Sequence, residues 1–163
     1  MNEPLLIKEL TQHYARAGEV TWLGVRSARK APLEARQIIE LDPERGLLGD
    51  HYAGRSGKRH LTLISAEHLA AVAGFLGTGP LEPGVTRRNV VVSGLNLLAL
   101  KGQEFELGEA LLAFTDLCHP CSRMEQVLGP GGYNAMRGHG GICARVLRGG
   151  SVALGDELSV PSL

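Results

Sequence analysis

The sequence lacks an excess of charge of either sign. Its 163 residues contain 17 Lys and Arg and 17 Asp and Glu, so the formal net charge is zero. A neutral chain has no general electrostatic attraction for nucleic acid or for an anionic membrane surface. Recognition of an anion must therefore come from a local group of basic side chains, and we expect neither nucleic acid nor membrane among the partners.

Long apolar runs are missing as well. No stretch approaches the roughly 20 apolar residues needed to cross a bilayer. The N-terminus carries Glu3 and has no basic segment followed by an apolar one, so we expect no signal peptide and a cytoplasmic protein. Aromatic residues are scarce, at 4%, whereas glycine is abundant, at 22 residues. This pairing favours many tight turns and close backbone approaches, as in a small barrel.

Cysteine is scarce and odd in number. Cys118, Cys121 and Cys143 are the three cysteines of the chain. In a chain expected to stay in the cytoplasm, they are predicted to be thiols rather than a disulfide framework.

The order of the predicted elements indicates one mainly β domain, which a chain of this length fits. Residues 3–17 have apolar residues at helical spacing, with Gly18 as a stop, and predict a helical extension at 1–19 packed on a main domain at 20–163. Ser65 predicts the cap of a helix that runs to about Phe75, and a short helix is predicted at 122–128. Gly149–Gly150 is interpreted as a hairpin turn. Short strands are predicted at 20–26, 36–41, 60–64, 89–93, 103–107, 111–117, 142–147, 152–154 and 158–160.

The densest group of chemically active residues is Cys118-His119-Pro120-Cys121-Ser122-Arg123. A Cys-x-x-Cys pair has three interpretations. A zinc half-site needs two further ligands, which Cys143 and His139 could supply. A thioredoxin-like dithiol needs a surrounding βαβ pattern that the sequence lacks. The third interpretation is a single nucleophilic or metal-binding thiolate.

Cys121 is the candidate for that thiolate. It follows Pro120 and opens a predicted helix, so the helix dipole and Arg123 are expected to favour its thiolate form. The structural alternative is that all three cysteines are small core residues, since cysteine is among the most often buried types. We predict this structural role for Cys118 and Cys143.

Two arginine-containing segments precede predicted strands: Arg87-Arg88-Asn89, and Met136-Arg137-Gly138-His139-Gly140-Gly141. Arginine offers a planar fork of donors for phosphate or carboxylate, and glycine lets a ligand approach the backbone. The two segments could converge at one barrel mouth. The alternative is that these arginines are solvated, or paired with acids such as Glu125.

Single polar residues complete the candidate set. His139 lies among glycines and is either a general acid or base or an exposed loop residue. Asp50 and Asp156, each after a glycine, are predicted to bond their own turn backbone.

These segments, taken in order, resemble those of the MOSC domain family, named for the C-terminal domain of molybdenum cofactor sulfurases. The match spans Val20 to Val160. It runs through Gly46-Leu47-Leu48-Gly49-Asp50, Leu61-Thr62-Leu63-Ile64, Arg87-Arg88-Asn89-Val90-Val91-Val92-Ser93-Gly94, Pro120-Cys121-Ser122-Arg123-Met124, Arg137-Gly138-His139-Gly140-Gly141 and Gly155-Asp156. The resemblance implies a mainly β fold, a closed barrel like that of pyruvate kinase with a few short covering helices. It also implies a small standalone member, because the β-barrel domain that precedes MOSC in the mitochondrial amidoxime-reducing enzymes is absent. His60 stands where relatives often have Gln.

The resemblance implies a site as well. In relatives that carry molybdenum cofactor, the cysteine matching Cys121 ligates the metal, and residues matching Arg87 and Asn89 help hold the pterin and its phosphate. Thiolate ligation and guanidinium–phosphate pairing give this assignment a physical basis. Arg123 and Arg137 are further candidates for cofactor binding, and His139 joins Cys121 as a candidate catalytic residue.

Three functions remain open at this point. One is a molybdenum-cofactor enzyme that reduces N-hydroxylated or N-oxide compounds with the help of an electron-donor protein. Another is a sulfur carrier that receives a persulfide on Cys121 from a sulfur donor or desulfurase. The last is a scaffold domain that binds a partner through a barrel edge. A pyridoxal phosphate activity, known only at the level of the family, is not expected, since none of the lysines, Lys8, Lys30, Lys58 and Lys101, lies in a recognisable Schiff-base context.

Overall fold

The computed structural model describes residues 3–51 and 56–161. The helical extension predicted at 1–19 and the main domain predicted at 20–163 begin and end at residues 1 and 163, which lie outside the described residues. Within the described ranges, strands dominate: β1 Gly18–Val25, β2 Glu34–Arg36, β3 Ile38–Asp42, β4 Gly46–Leu47, β5 Leu61–Ser65, β6 Val90–Ser93, β7 Glu104–Leu107, β8 Ala110–Leu117, β9 Ile142–Arg148, β10 Gly150–Ala153 and β11 Glu157–Ser159. The helices are α1 Ile7–Leu10, α2 Ala66–Leu76, α3 Ser122–Leu128 and α4 Gly132–Met136, with a 3₁₀ helix at Leu97–Leu100.

Seven of the strands close into a barrel. Around the ring their order is β11-β7-β8-β9-β5-β6-β1, and β1 pairs with β11 to complete the circle. All neighbouring pairs are antiparallel except β5 and β6, which are parallel. Strand β2 pairs with β1 outside the ring. The mainly β, closed-barrel fold predicted from the sequence is therefore confirmed.

The barrel interior is filled with aliphatic side chains and one aromatic ring. Phe105, Leu63 and Leu112 are among those with no exposed surface. A second apolar cluster lies outside the barrel wall, where Ile64 and Val91 meet Val72 of α2 and Met136 of α4. Alternating or continuous apolar residues in short strands produce this arrangement, because each strand must bury the face that points into the barrel.

The Gly149–Gly150 hairpin predicted between β9 and β10 is wrong. Strand β10 pairs with β3 instead, in a separate sheet of order β10-β3-β4. The physical reason is that β9 already pairs with β5 on one edge and β8 on the other, so neither edge is free for β10. The glycines allow the chain to leave the barrel at this point: a Cβ at position 149 would lie 2.5 Å from the carbonyl oxygen of Leu41.

The helix predicted over 3–17 is much shorter in the structure. Only Ile7–Leu10 is helical, and none of its residues is buried. A short helix with an exposed apolar side has little to stabilise it. The segment contacts the barrel further along: the Tyr14 hydroxyl donates to the Ala99 carbonyl at 3.0 Å, and Arg16 Nε donates to the Gly94 carbonyl at 3.3 Å.

The other helices follow the sequence signals more closely. The Ser65 hydroxyl caps α2 by accepting a hydrogen bond from the His68 amide at 3.1 Å, as predicted. Helix α3 has the predicted bounds, and α4 was not expected. Among the described residues, no helix is long and apolar enough to cross a membrane.

Candidate functional site

Two cavities near the Cys121 end of the barrel share three arginines. The inner cavity has a volume of about 180 Å3 and the outer one about 260 Å3. We call them together the basic cleft. The inner cavity is lined by Arg26, Leu33, Asp50, Arg59, Thr62, Arg87 and Asn89. The outer cavity is lined by Arg26, Arg29, Lys30, Arg59, Arg87, Arg88, Cys121, Arg123 and Met124.

The basic cleft gathers like charges. Seven basic side chains line the outer cavity, and Asp50 is the one carboxylate of the described lining. Burial, followed by the nearby guanidinium groups of Arg123 and Arg26, lowers the pKa of Arg87. Cations held this close repel one another, and an anion bound among them would relieve that repulsion. A neutral chain thus contains a strongly basic local site, as its composition requires for anion recognition.

Backbone strain is concentrated in the same place. In the described part of the chain, the two non-glycine residues with positive φ are Lys30, at 65°, and Arg87, at 63°, and both line the outer cavity. Arg87 Nη1 donates to the Ala31 carbonyl at 3.2 Å, which connects the two strained segments. Left-handed conformations at non-glycine residues cost energy and concentrate at functional sites.

Arg26 has spare hydrogen-bonding capacity. Its side chain lines both cavities, and its Nε is buried without a hydrogen-bond partner among the described residues. A buried donor without an acceptor is costly. An acceptor supplied by a bound anion would remove that cost.

Asp50 anchors the end of β1 to the cleft. Its Oδ1 accepts from the Arg26 amide at 2.8 Å and from Asn89 Nδ2 at 3.4 Å. The turn thus brings the Asp50 carboxylate to the end of β1 and the start of β6. That Asp50 also bonds its own turn stays a prediction. Asp156 does bond its own turn, accepting from the Ala153 amide at 2.8 Å.

Cys121 lies at the mouth of the cleft. It is exposed, it immediately precedes α3, and its thiol makes no capping hydrogen bond. Arg123, two residues further on, lines the same cavity. The structure thus brings together three residues singled out from the sequence: Cys121, Arg87 and Arg123. Among the described residues, Glu125 forms no ion pair with an arginine, and its carboxylate accepts from the amides of Gly131 and Tyr133.

Arg88 fixes the segment that leads to Cys121. It is 4% exposed, and its guanidinium donates to the carbonyls of Thr86, Gly140 and Cys118, at 2.8, 2.8 and 3.1 Å. These bonds connect the start of β6 to the loop after β8. Arg88 therefore positions the cysteine loop by hydrogen bonding to its backbone.

Asn89 lines the inner cavity, but its amide is fully engaged within the protein. Oδ1 accepts from the Thr62 amide at 3.2 Å and from the Thr62 hydroxyl at 3.0 Å. Nδ2 donates to the Gly24 carbonyl at 3.2 Å and to Asp50. An asparagine amide forms about four hydrogen bonds at most. Asn89 is thus a clamp between β1, β5 and β6 at the floor of the cleft.

The structure does not bring Arg137 or His139 into the cleft. Arg137 is exposed, and its Nη1 lies 3.5 Å from Asn134 Oδ1. The His139 ring packs against the rings of His68 and Phe75, at centroid distances of 4.9 and 5.5 Å. The two segments do meet, since Arg88 Nε donates to the Gly140 carbonyl, but Arg137 and His139 do not line the cleft.

The glycines after His139 have a structural reason. A Cβ at Gly140 would lie 2.1 Å from the Cys118 carbonyl oxygen, and one at Gly141 would lie 2.0 Å from that of Leu63. Only glycine permits these backbone contacts. The Gly-His-Gly-Gly run thus packs the end of β9 against β5 and the cysteine loop.

Cys118 is a residue whose environment sequence reasoning missed. It is 2% exposed, and Arg59 Nη2 donates to its sulfur at 3.5 Å. A hydrogen bond from the Cys143 thiol, with the nearby Arg88 and Arg59, lowers the pKa of Cys118 to about 6 despite burial. The same hydrogen bond, together with burial, raises the pKa of Cys143. Arg59 is 59 positions away in sequence, so no local signal could reveal this contact.

A third cavity, which we call the side cavity, lies beyond Arg59. Its volume is about 590 Å3, and Arg59 lines it as well as both parts of the basic cleft. Its lining is Lys58, Arg59, Ala113, Phe114, Thr115, Asp116, Leu117, His119, Cys143, Arg145 and Leu147.

No three His, Cys, Asp or Glu side chains of the described residues are grouped so as to hold a metal ion. The zinc half-site interpretation therefore gains no support from the structure.

The closed seven-stranded barrel, the basic cleft and the exposed cysteine place this protein in a class of small β-barrel domains. The MOSC domain model matches residues 44–159. The chain belongs to the MOSC domain family, as the resemblance implied.

Solved structures share the fold. The YuaD protein from Bacillus subtilis is 21% identical with a TM-score of 0.79, and the alignment covers 93% of this chain and 100% of that one. YiiM from Geobacillus stearothermophilus is 17% identical with a TM-score of 0.73, over 89% and 75% of the two chains. YiiM from Escherichia coli is 21% identical with a TM-score of 0.67, over 89% and 70%. None of the curated proteins matches this sequence.

Proposed function

We propose that the basic cleft holds molybdenum cofactor, with the Cys121 sulfur as a metal ligand, and that the protein reduces N-hydroxylated compounds. The observation that carries the proposal is that Cys121 shares one cavity with seven basic side chains. A soft thiolate suits molybdenum, and guanidinium groups suit the phosphate of the pterin.

The residues present fit such a group. The buried Nε of Arg26 has no acceptor among the described residues, and a phosphate oxygen would supply one. Arg87 and Arg123 add donors beside Cys121. In this proposal Asn89 and Arg88 act by positioning, since the bonds described above engage them with the backbone and with Asp50.

The metal centre, when bound, supplies the redox chemistry of N–O bond reduction. The chain's own contribution is to hold the anionic end of the cofactor with arginines and to present Cys121 at the cleft mouth. An electron-donor protein completes the proposed cycle, and the exposed position of Cys121 leaves that face open.

The test is the molybdenum and pterin content of protein purified from cofactor-competent cells. We expect both in the wild type. Cys121→Ser should lose molybdenum. The pterin content of Arg87→Gln should fall by about tenfold or more, the loss expected when one charge-assisted contact is removed. Ser122→Ala and Arg148→Gln are the matched controls, since Ser122 is the exposed neighbour of Cys121 and Arg148 lies in a surface ion pair with Glu106. Wild-type protein without molybdenum, even after reconstitution, contradicts the proposal.

A sulfur-carrier function is the second candidate, and the exposure of Cys121 favours it. A persulfide donor must reach the acceptor thiol directly. Incubation with a cysteine desulfurase and free cysteine should add one sulfur atom to the wild type and none to Cys121→Ser, as read by intact mass. A wild-type protein that gains no sulfur rejects this candidate.

A further inference from the structure

Two thiols that the proposed function leaves unused lie side by side. Cys143 is in β9, where its register partner on β8 is Asp116. Cys118 follows β8, and its amide donates to the Gly141 carbonyl at 2.8 Å. The two cysteines thus sit on adjacent chain segments, two register positions apart, and both are free thiols.

The surroundings of Cys118 favour negative charge on its sulfur. Arg59 Nη2 donates to that sulfur at 3.5 Å, and the neighbouring Cys143 thiol, followed by Arg88 and Arg59, lowers the pKa of Cys118. The buried guanidinium of Arg88 bonds to the Cys118 carbonyl at 3.1 Å. A cysteine that merely fills space in a core has no need of two arginines and a second thiol, and burial alone would raise its pKa.

The side cavity opens onto Cys143 of this pair. Cys143 lines this cavity together with Arg59, whose guanidinium contacts Cys118. Cys143 is 6% exposed and Cys118 is 2% exposed. A reactant as small as hydrogen peroxide fits a cavity of about 590 Å3, whereas a protein partner would not reach either sulfur.

We propose that Cys118 and Cys143 form a peroxide-reactive dithiol that closes to an intramolecular disulfide. The Cys118 thiolate attacks one peroxide oxygen, an S–O bond forms, and the O–O bond breaks to release hydroxide, which takes a proton to become water. The Cys143 sulfur then attacks the sulfur of the Cys118 sulfenic acid. The S–S bond forms, the S–O bond breaks, and the departing hydroxide leaves as water with the Cys143 proton. Two thiols are oxidised and one peroxide is reduced to two waters.

The experiment uses Cys121→Ser, which leaves Cys118 and Cys143 as the remaining cysteines of the chain. The reduced protein is treated with one equivalent of hydrogen peroxide, and its remaining thiols are then blocked with N-ethylmaleimide. The mass of the intact protein is measured by mass spectrometry without reductant. We expect a product that has lost two hydrogens and takes up no maleimide, and whose thiols return with dithiothreitol. Cys118→Ser in this background should react several-fold more slowly, and Cys143→Ser should give a sulfenic acid but no internal disulfide.

A second measurement uses the wild-type protein, so it does not depend on whether a variant folds. Cys118 and Cys121 lie on the tryptic peptide 102–123 and Cys143 on 138–145. Non-reducing peptide mapping should find these two peptides joined through Cys118 and Cys143, with Cys121 open to maleimide. Free thiols after peroxide treatment, or a bond between Cys118 and Cys121, would overturn the proposal. The outcome does not depend on whether molybdenum cofactor binds.

Discussion

At the scale of the residue, three chemically identical thiols have three different settings. Cys121 is exposed at the mouth of the basic cleft. Cys118 is buried between a thiol donor and two arginines, and Cys143 is the donor of that pair. Their protonation is therefore decided by neighbours that are distant in sequence, such as Arg59 and Arg88.

The lowered pKa of Cys118 makes a prediction about pH. The native pair holds one proton fewer than the unfolded chain between about pH 6 and the usual cysteine pKa of 9.0. A depressed native pKa stabilises the fold at high pH, and that contribution is lost as the pH falls through about 6. The difference in unfolding free energy between the wild type and Cys118→Ser should therefore grow as the pH rises across this window. Urea unfolding at a series of pH values measures it, and a difference that stays constant would contradict the assigned thiolate.

Single residues were predictable where the chemistry is local. Cys121, Arg87 and Arg123 belong to short motifs, and the structure brings all three to one cavity. Arg26 and Arg59 carry no such signal, because they belong to no short motif and the fold brings them together from segments after β1 and before β5. His139 has a motif but lies against α2, since its neighbouring glycines serve backbone packing.

At the scale of the element, the floor of the cleft depends on how β1, β5 and β6 are held together. Asn89, at the start of β6, bonds to Thr62 of β5, Gly24 of β1 and Asp50. The backbone reinforces this contact, since the Asn89 amide donates to the Thr62 carbonyl at 3.0 Å. A change in this one side chain should therefore loosen three strands at once.

We predict that Asn89→Ala lowers the free energy of unfolding by about 2–3 kcal/mol, because buried donors and acceptors of the clamp are left without partners. Chemical denaturation of the purified variant gives the value. Asn134→Ala is the control, since Asn134 is exposed in α4 and its change should cost less than about 0.5 kcal/mol. If Asn89→Ala were as stable as this control, the amide would have no clamping role.

Element types were more predictable than their pairing. The alternation of apolar residues and the Ser65 cap were enough to place most strands and α2. The partner of β10 was not predictable from two adjacent glycines, because both edges of β9 were already taken by strands remote in sequence. The helical spacing of apolar residues in 3–17 predicted a helix longer than the observed Ile7–Leu10. Only a few residues of that segment contact the barrel, so little packing stabilises a longer helix.

At the scale of the whole molecule, closure of the barrel makes distant segments depend on one another. Strand β11 pairs with both β1 and β7, so the last strand of the chain completes the ring begun by the first. Leu158 of β11 has no exposed surface and belongs to the barrel core. A closed ring removes the two free edges that an open sheet would leave.

Leu158→Ala should therefore lower the free energy of unfolding by about 2–5 kcal/mol, the usual cost of such a cavity. The loss should appear as one transition, seen alike by Trp22 fluorescence and by far-ultraviolet circular dichroism, because opening the ring at β11 releases β1 as well. Leu154→Ala, at a position 44% exposed, should change stability by less than about 0.5 kcal/mol. Two separate transitions in Leu158→Ala would show that the barrel does not unfold as a unit.

In the proposed function, Cys121 lies at the mouth of an anion-binding cleft and supplies a sulfur ligand to molybdenum. X-ray absorption at the molybdenum edge, on protein loaded with cofactor, counts the sulfur ligands of the metal. The sulfur shell of the metal in the wild type and in Ser122→Ala should contain one more scatterer than in Cys121→Ser. Identical sulfur shells in the wild type and in Cys121→Ser would contradict it.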